Sequence, residues 1–140
     1  MSGTLPSYEV LQSFERAPIV RIGFTLQEVM AQTHLTEAQL RRLRGIGRLP
    51  IVWVTPRRLI VLAGDLGALT GDPGLTLDDA FPGQRFLTVR QLVHTTGIST
   101  HTWDRIIQRG DLKMIRTDPR STRICWRDVF LDYLRERRVA

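Results

Sequence analysis

Apolar residues in the second half of the chain recur at the three- and four-residue spacing of a short helix. This spacing predicts a helix over residues 89–95 whose buried face is formed by Val89, Leu92 and Val93. Thr88 is the predicted N-cap, because a threonine oxygen can accept a hydrogen bond from the first turn. Gly97 is the predicted C-cap, where a positive φ costs glycine little. Both ends of the helix are therefore marked in the sequence.

A second helix is predicted directly afterwards, over residues 100–109. Ser99 is its predicted N-cap and Gly110 ends it. Its inward-facing residues are predicted to be Trp103, Ile106 and Ile107. A helix, a short glycine-containing turn and a second helix form a helix-turn-helix unit.

Two short strands and a last helix are predicted after the helix pair. The strands span residues 112–116 and 123–126, and the polar turn between them, residues 117–122, carries Arg120. A hairpin with a cationic tip of this kind is a wing. Asp128 is the predicted N-cap of the last helix. The apolar face of that helix is Val129, Phe130, Tyr133 and Leu134.

The same pattern occurs earlier in the chain, because the sequence of residues 24–69 aligns without gaps with that of residues 87–132, at an offset of 63. The identical pairs are Thr25/Thr88, Arg42/Arg105, Gly47/Gly110, Leu49/Leu112, Pro56/Pro119, Arg57/Arg120 and Asp65/Asp128. The matching apolar pairs are Leu26/Val89, Val29/Leu92, Leu35/Ile98, Leu40/Trp103, Leu43/Ile106 and Val61/Ile124. The earlier stretch is the more diverged, since His34 replaces Gly97 and a short segment, residues 66–69, replaces the last helix. We therefore predict two copies of one small module.

The predicted fold class is α+β, mainly helical with small β-wings, and consists of two tandem winged helix-turn-helix modules. Residues 24–69 form the first copy and residues 86–140 the second copy, joined by a linker over residues 70–85 that is rich in turn-forming residues. Residues 1–23 form an extension with a helix over 7–16 and a strand over 19–22. Because a module of about fifty residues has a thin core, we expect the two copies to share a face.

The second copy resembles the excisionase and MerR-type winged helix-turn-helix family over about fifty residues. The residues that carry the resemblance are Leu87-Thr88-Val89-Arg90-Gln91-Leu92, Gly97-Ile98-Ser99, Thr102, Arg105, Gly110-Asp111-Leu112 and Arg123-Ile124. The chain departs from the family at Trp103, where a smaller aliphatic residue is usual, and at Cys125-Trp126, where a proline-containing step is usual. The resemblance implies binding to double-stranded DNA.

Charge agrees with a polyanionic partner. The formal net charge is +6, and Lys113 is the only lysine among 20 Lys and Arg residues. Between residues 105 and 127 only Asp111 and Asp118 oppose the cations. Those cations are Arg105, Arg109, Lys113, Arg116, Arg120, Arg123 and Arg127.

The second helix of the second copy is the predicted reading element, since such a helix lies in the major groove. Its predicted outward residues are Thr100, His101, Asp104, Arg105 and Gln108. We expect Thr100 and His101 to bond base edges, Arg105 to bind guanine or phosphate, and Asp104 to orient Arg105 or accept from cytosine. The predicted phosphate contacts of the wing are Arg116, Arg120 and Arg123.

In the first copy, the predicted contacts with DNA are Arg41 and Arg42 on the helix and Arg57 and Arg58 at the wing. Glu37 lies on the same predicted reading face, and its negative charge disfavours contact with phosphate. The first copy is therefore also a candidate docking module for a protein partner or for a second copy of this chain.

The sequence shows no motif typical of a catalytic or metal-binding site. The histidines and the lone Cys125 do not have metal-ligand spacing, and no nucleophile-base set or phosphate-binding glycine loop occurs, so we predict no enzyme, metal or cofactor. Cys125 is predicted to be a small buried residue. No apolar run is long enough to cross a bilayer. We expect a cytoplasmic protein without a membrane partner that is nucleoid-associated when bound to DNA.

The sequence therefore predicts a sequence-specific DNA-binding protein that reads adjacent sites with tandem winged helices. It would act as a transcription regulator or as an excisionase-like architectural factor. The alternative is a phage or plasmid assembly, packaging or replication factor that uses its winged helices partly for protein docking. Salt dependence separates the two, because phosphate contacts release counterions and lose affinity steeply with salt, whereas an apolar docking face hardly responds.

Overall fold

A computed structural model describes residues 20–116 and 123–140, which form an α+β fold. These residues contain six helices and two antiparallel sheets, so the mixed helix and strand content that we predicted is confirmed. The elements are β1 (Gly23–Thr25), α1 (Leu26–Thr33), α2 (Glu37–Gly45), β2 (Ile51–Thr55), β3 (Arg58–Leu62), α3 (Ala63–Thr70), β4 (Phe86–Thr88), α4 (Val89–Thr96), α5 (Thr100–Gln108), β5 (Ile124–Trp126), α6 (Arg127–Glu136) and β6 (Arg138–Val139). The helix predicted over residues 7–16 lies outside the described residues. Residues 20–22 precede β1 without forming the strand predicted over 19–22.

The first three elements of each copy begin at the predicted offset of 63. Thus β1, α1 and α2 correspond residue by residue to β4, α4 and α5. The equivalent residues Thr25 and Thr88 each accept a hydrogen bond from the backbone N of the residue three positions on, at 3.3 Å in both cases. At the other end of the helix, His34 (φ 59°) and Gly97 (φ 75°) adopt the same left-handed conformation. The predicted caps at Thr88 and Gly97 are confirmed.

The offset becomes 64 from the second strand of the hairpin onwards, so the gapless alignment is wrong for the last third of each copy. β3 ends at Leu62 and β5 at Trp126, and the helices that follow begin at Ala63 and Arg127. The second copy therefore has one extra residue between Gly110 and β5. The predicted pairs Val61/Ile124 and Asp65/Asp128 are out of register by one residue.

Both last helices differ from their predictions. α6 has Trp126 as its N-cap without a side-chain hydrogen bond, so Asp128 lies in the first turn and is not the cap. An acid in the first turn still interacts favourably with the helix dipole. In the first copy, a complete helix, α3, occupies the position where we predicted only a short segment over residues 66–69. Neither copy lacks its last helix.

The hairpin of the first copy is complete, with a shift of register between Trp53 and Thr55. β2 and β3 pair in an antiparallel manner with Thr55 opposite Arg58, and two residues form the turn. In the second copy, β5 pairs with β4, and the predicted strand over 112–116 contributes one bridge, Ile115 to Ile124. The predicted turn over residues 117–122 lies outside the described residues.

One hydrophobic core includes residues of both copies and of the segment between them. Val52 and Ile60 of the first copy belong to the same cluster as Trp103 and Phe130 of the second, and each is fully buried. Phe81, from the predicted linker, packs edge-on against Phe130 with ring centroids 6.5 Å apart. The expectation that the copies share a face is met by this common core. Within residues 70–85, the side chains of Leu75, Leu77, Ala80 and Phe81 pack on this core.

The C-terminal strand belongs to the sheet of the first copy. The strand order of the larger sheet is β1-β3-β2-β6, and β6 pairs with β2 in an antiparallel manner. Arg138 of β6 makes two hydrogen bonds to the carboxylate of Asp65, at 3.0 and 2.8 Å. This bond raises the pKa of Arg138 above its ordinary value. The end of the second copy is thereby held against the first.

Candidate nucleic-acid interface

A groove of about 400 Å³ lies between α5 of the second copy and the β2–β3 turn of the first. We call it the arginine groove. It brings together His101 and Arg105, predicted on the helix, with Arg57 and Arg58, predicted on the wing of the other copy. Its lining residues are Thr55, Pro56, Arg57, Arg58, His101, Thr102, Arg105, Ile106 and Arg109.

The orientation of α5 follows from its apolar residues. Trp103 and Ile106 are fully buried, whereas Ile107 is only half-buried against the core. The N-terminal end is fixed by Ser99, whose Oγ accepts a hydrogen bond from the backbone N of Thr102 at 3.3 Å. The predicted outward residues Thr100, His101, Arg105 and Gln108 are all exposed. Of these four, His101 and Arg105 line the arginine groove.

The β2–β3 turn presents the other two cations. The backbone N of Arg57 donates a hydrogen bond to Oγ1 of Thr55 at 3.2 Å, and Pro56 restricts the backbone between them. Arg57 and Arg58 are both exposed. They also line a second groove, of about 600 Å³, together with Glu37 and Ser99. The hairpin therefore stands between the helix pairs of the two copies.

The arginine groove is electropositive. Arg57, Arg58, Arg105 and Arg109 line it, and no acidic residue does. Within residues 20–116 and 123–140, none of these four guanidinium groups forms a salt bridge. Asp111 lines an adjacent groove that shares Arg109. Four guanidinium groups on one concave surface attract an anion, because a concave surface of one charge sign concentrates the potential.

Asp104 has a different partner from the one predicted. Its carboxylate forms an ion pair with Arg123, and the two side chains are 35% and 29% exposed. We had predicted that Asp104 orients Arg105 or accepts a hydrogen bond from cytosine, and that Arg123 contacts phosphate. In the structure, the pair instead links Arg123, the residue before β5, to α5, and each residue offsets the charge of the other.

The predicted residues on α2 of the first copy lie elsewhere. Arg41 forms an ion pair with Glu37, one helical turn away, at 3.1 Å. Arg42 is exposed and is the repeat equivalent of Arg105. Neither residue lines the arginine groove. The two helices that look alike in sequence therefore have different electrostatic surroundings.

Two further wing residues were predicted in the second copy. Arg116 is exposed at the end of a described segment. Arg120 lies outside the described residues. The structure consequently does not connect either of them with the arginine groove.

Arg109 and Thr102 line the groove although neither was predicted as a contact with DNA. Arg109 caps the C-terminus of α5, and its distance of four residues from Arg105 places both on one helix face. This spacing was a usable signal. The contribution of Thr55 and Pro56 had no signal in the second copy's own sequence, because it depends on how the copies pack.

Within the described part of the chain, nucleophilic or metal chemistry would need a reactive side chain or a group of metal ligands. Cys125 is fully buried, and burial raises the pKa of its thiol to about 12. A thiol with such a pKa is a poor nucleophile at neutral pH. Across residues 20–116 and 123–140, no three His, Cys, Asp or Glu side chains are grouped to hold a metal ion. No helix in these same ranges has the length and apolar character needed to cross a membrane.

Comparison with known proteins adds no relative. No family model, no curated protein and no solved structure matches the chain. The arginine groove and the motifs of the second copy are therefore the features of the chain that bear on its function.

Proposed function

We propose that the chain is a double-stranded DNA-binding protein built from two winged helix-turn-helix units of the excisionase and MerR type. The observation that carries the proposal is the arginine groove, where Arg57, Arg58, Arg105 and Arg109 converge without an acidic neighbour in the lining. DNA carries one negative charge per about 1.7 Å of helix axis, so it is the polyanion that such a surface suits.

The chemistry of α5 supports a reading role. A recognition helix contacts base edges through its N-terminal residues, and the exposed residues there are Thr100 and His101. Arg105, one turn later, can bind the O6 and N7 atoms of guanine with its two parallel donors or clamp a phosphate. Gln108 can bond adenine in the same manner. Sequence specificity is assigned to the contacts that these residues make with base edges, and Arg105 contributes to it only where it binds guanine instead of phosphate.

The biological role that fits is occupation or bending of a defined DNA site. A transcription regulator or an excisionase-like architectural factor needs a basic surface and a reading helix, and both are attributes of α5 with its flanking turn. In a bacterial cell such a protein would be cytoplasmic and associated with the nucleoid when bound.

Selection of bound sequences from a random duplex library, at near-physiological salt, tests the proposal. An enriched motif is expected. In a plot of the logarithm of the binding constant against the logarithm of the salt concentration, the slope should be about −0.9 per phosphate contact, or roughly −3 to −4 for four arginine contacts. No enrichment together with an affinity that does not respond to salt would show that the chain is not a DNA-binding protein.

A second candidate function is protein docking through α2 in an assembly, packaging or replication factor. The observation in its favour is that Arg41 is neutralised by Glu37 next to the exposed Ala38, so this face is less suited to phosphate. Native mass spectrometry of the purified chain tests it. A defined oligomer that is lost on substitution of Ala38 by arginine would support docking, and a monomer at all concentrations would exclude self-assembly.

A further inference from the structure

We infer that the arginine groove is one phosphodiester-binding site shared by the two copies, so that the chain contacts a single uninterrupted DNA segment instead of two adjacent sites. This inference rests on the proposed function and specifies which residues act together. Arg57 and Arg58 come from the first copy, and Arg105 and Arg109 come from the second. Neither copy has the complete lining.

The copies cannot separate to read two sites. They share one core that contains Val52 and Trp103, and β6 at the end of the second copy is a strand of the first copy's sheet. Arg127 further donates hydrogen bonds to the backbone oxygens of Ala80 and Asp78, at 2.8 and 3.0 Å. The segment between the copies is thus pinned to α6. Because linker length and stiffness decide which pairs of sites two joined units can reach together, this fixed arrangement lets both copies meet DNA only in one relative orientation.

The size of the groove selects the ligand. Its volume of about 400 Å³ is that of a pocket for a small ligand, so it cannot enclose a whole duplex. It suits the sugar-phosphate backbone of one strand. The side-chain donors around it are four guanidinium groups, the imidazole of His101 and the hydroxyls of Thr55 and Thr102. Guanidinium groups bind phosphate oxygens in a bidentate manner.

The geometry predicts how the duplex lies. With α5 in the major groove, the strand bordering that groove passes between Arg105 and the β2–β3 turn. The turn of the first copy then serves as the wing for the helix of the second. The helix of the first copy, α2, is not needed as a second reader, since Arg42 is outside the groove.

The repeat offers a matched control, because Arg42 and Arg105 occupy equivalent exposed positions on α2 and α5. The affinity of a fluorescein-labelled duplex of about 20 base pairs, twice a helical turn, is measured by anisotropy over a salt series. The variants are Arg105→Gln, Arg42→Gln and the double change Arg57→Gln/Arg58→Gln. Thermal unfolding by circular dichroism checks that each variant is folded.

Arg105→Gln and the double variant are each expected to weaken binding by roughly tenfold or more. The magnitude of the salt slope should fall by about 1 in Arg105→Gln and by about 2 in the double variant. Arg42→Gln is expected to change affinity by less than about twofold, because Arg42 lies outside the arginine groove and neutralises no phosphate there. The shared site would be overturned if Arg42→Gln lost as much affinity as Arg105→Gln and the double variant had no effect. The proposed DNA-binding function would stand in that case.

Two further arms separate the inference from the proposed function. If the unmodified chain binds no duplex at any salt concentration, the proposed function fails and the shared DNA site fails with it. A free phosphate ester is the other source of the same chemistry, so titration with inorganic phosphate and with a mononucleotide is followed by calorimetry. Tight binding of the mononucleotide, abolished by Arg105→Gln, without binding of the duplex would assign the groove to a small ligand and overturn the DNA assignment.

Discussion

Tyr133 of the second copy donates a hydrogen bond from Oη to the backbone carbonyl oxygen of Val54 in the first copy, at 2.6 Å. Both residues are buried, and burial raises the pKa of the Tyr133 hydroxyl. The bond joins α6 to β2, the strand that leads into the Pro56–Arg57 turn of the arginine groove. The position of the turn relative to α5 therefore depends on a direct contact between the copies.

Tyr133→Phe is expected to lower the free energy of unfolding by about 1–2 kcal/mol, because the carbonyl of Val54 loses its buried partner. The ring remains available to Arg137, whose guanidinium carbon lies 3.6 Å from its centroid. For a chain of this length the midpoint of thermal unfolding should fall by roughly 3–8 °C. An unchanged midpoint would show that the bond does not contribute to the native state.

Gly67→Ala in α3 should destabilise the protein by about 1–3 kcal/mol. An added Cβ would lie 2.2 Å from the carbonyl oxygen of Asp72 and 2.7 Å from the backbone N of Gly74, and backbone atoms cannot easily move away. Gly45→Ala in α2 is the matched control, since no atom beyond its chain neighbours and the nearby backbone of its own helix lies within 4 Å of its added Cβ. It should be neutral or stabilising by up to about 1 kcal/mol. Urea unfolding of both variants measures this, and equal effects would contradict the close packing of residues 71–74 on α3.

Glu28→Gln is expected to remove a pH-dependent part of stability and to keep the cap, since Gln91 holds the equivalent position in the second copy. A hydrogen bond from Arg21, at 2.5 Å, lowers the pKa of Glu28 below 4.5. A carboxyl with a lowered pKa stabilises the fold above its unfolded pKa and loses this contribution as the pH falls through the folded value. The difference in stability between wild type and variant should therefore be largest near neutral pH and shrink on acidification below 4.5. A difference that does not vary with pH would exclude the Arg21 contact.

Asp104→Ala is expected to strengthen DNA binding. The carboxylate pairs with Arg123, so its removal eliminates a negative charge near the groove and releases a cation. The expected gain in binding free energy is roughly 1 kcal/mol, which is the size of the interaction between two unit charges about 4 Å apart in water. Anisotropy at low and moderate salt measures it. Weaker binding with a lost preference for one base would instead support the role predicted from sequence, in which Asp104 reads cytosine.

The local elements were predictable from sequence because their signals are local. Thr88, Gly97 and Ser99 act within one turn of their helices, and the burial of Trp103 and Ile106 follows from helical spacing. The one-residue change of offset was not predictable, since the gapless alignment matched Asp65 with Asp128 by an accidental identity.

The candidate site was predictable only in its parts. Arg57, Arg58, Arg105 and His101 were each predicted as contacts, but within separate modules. Their meeting in one groove depends on contacts distant in sequence, such as Arg138 with Asp65, which no periodicity shows. For the same reason the pairing of Asp104 with Arg123 could not be distinguished from pairing with Arg105.

Hydroxyl-radical footprinting on a selected DNA site tests the central claim most directly. A shared groove predicts one continuous protected segment of about one helical turn, ~10 base pairs, and loss of protection on the strand nearest the turn in Arg57→Gln/Arg58→Gln. Two protected segments separated by an exposed stretch, each insensitive to the other copy's arginines, would contradict it.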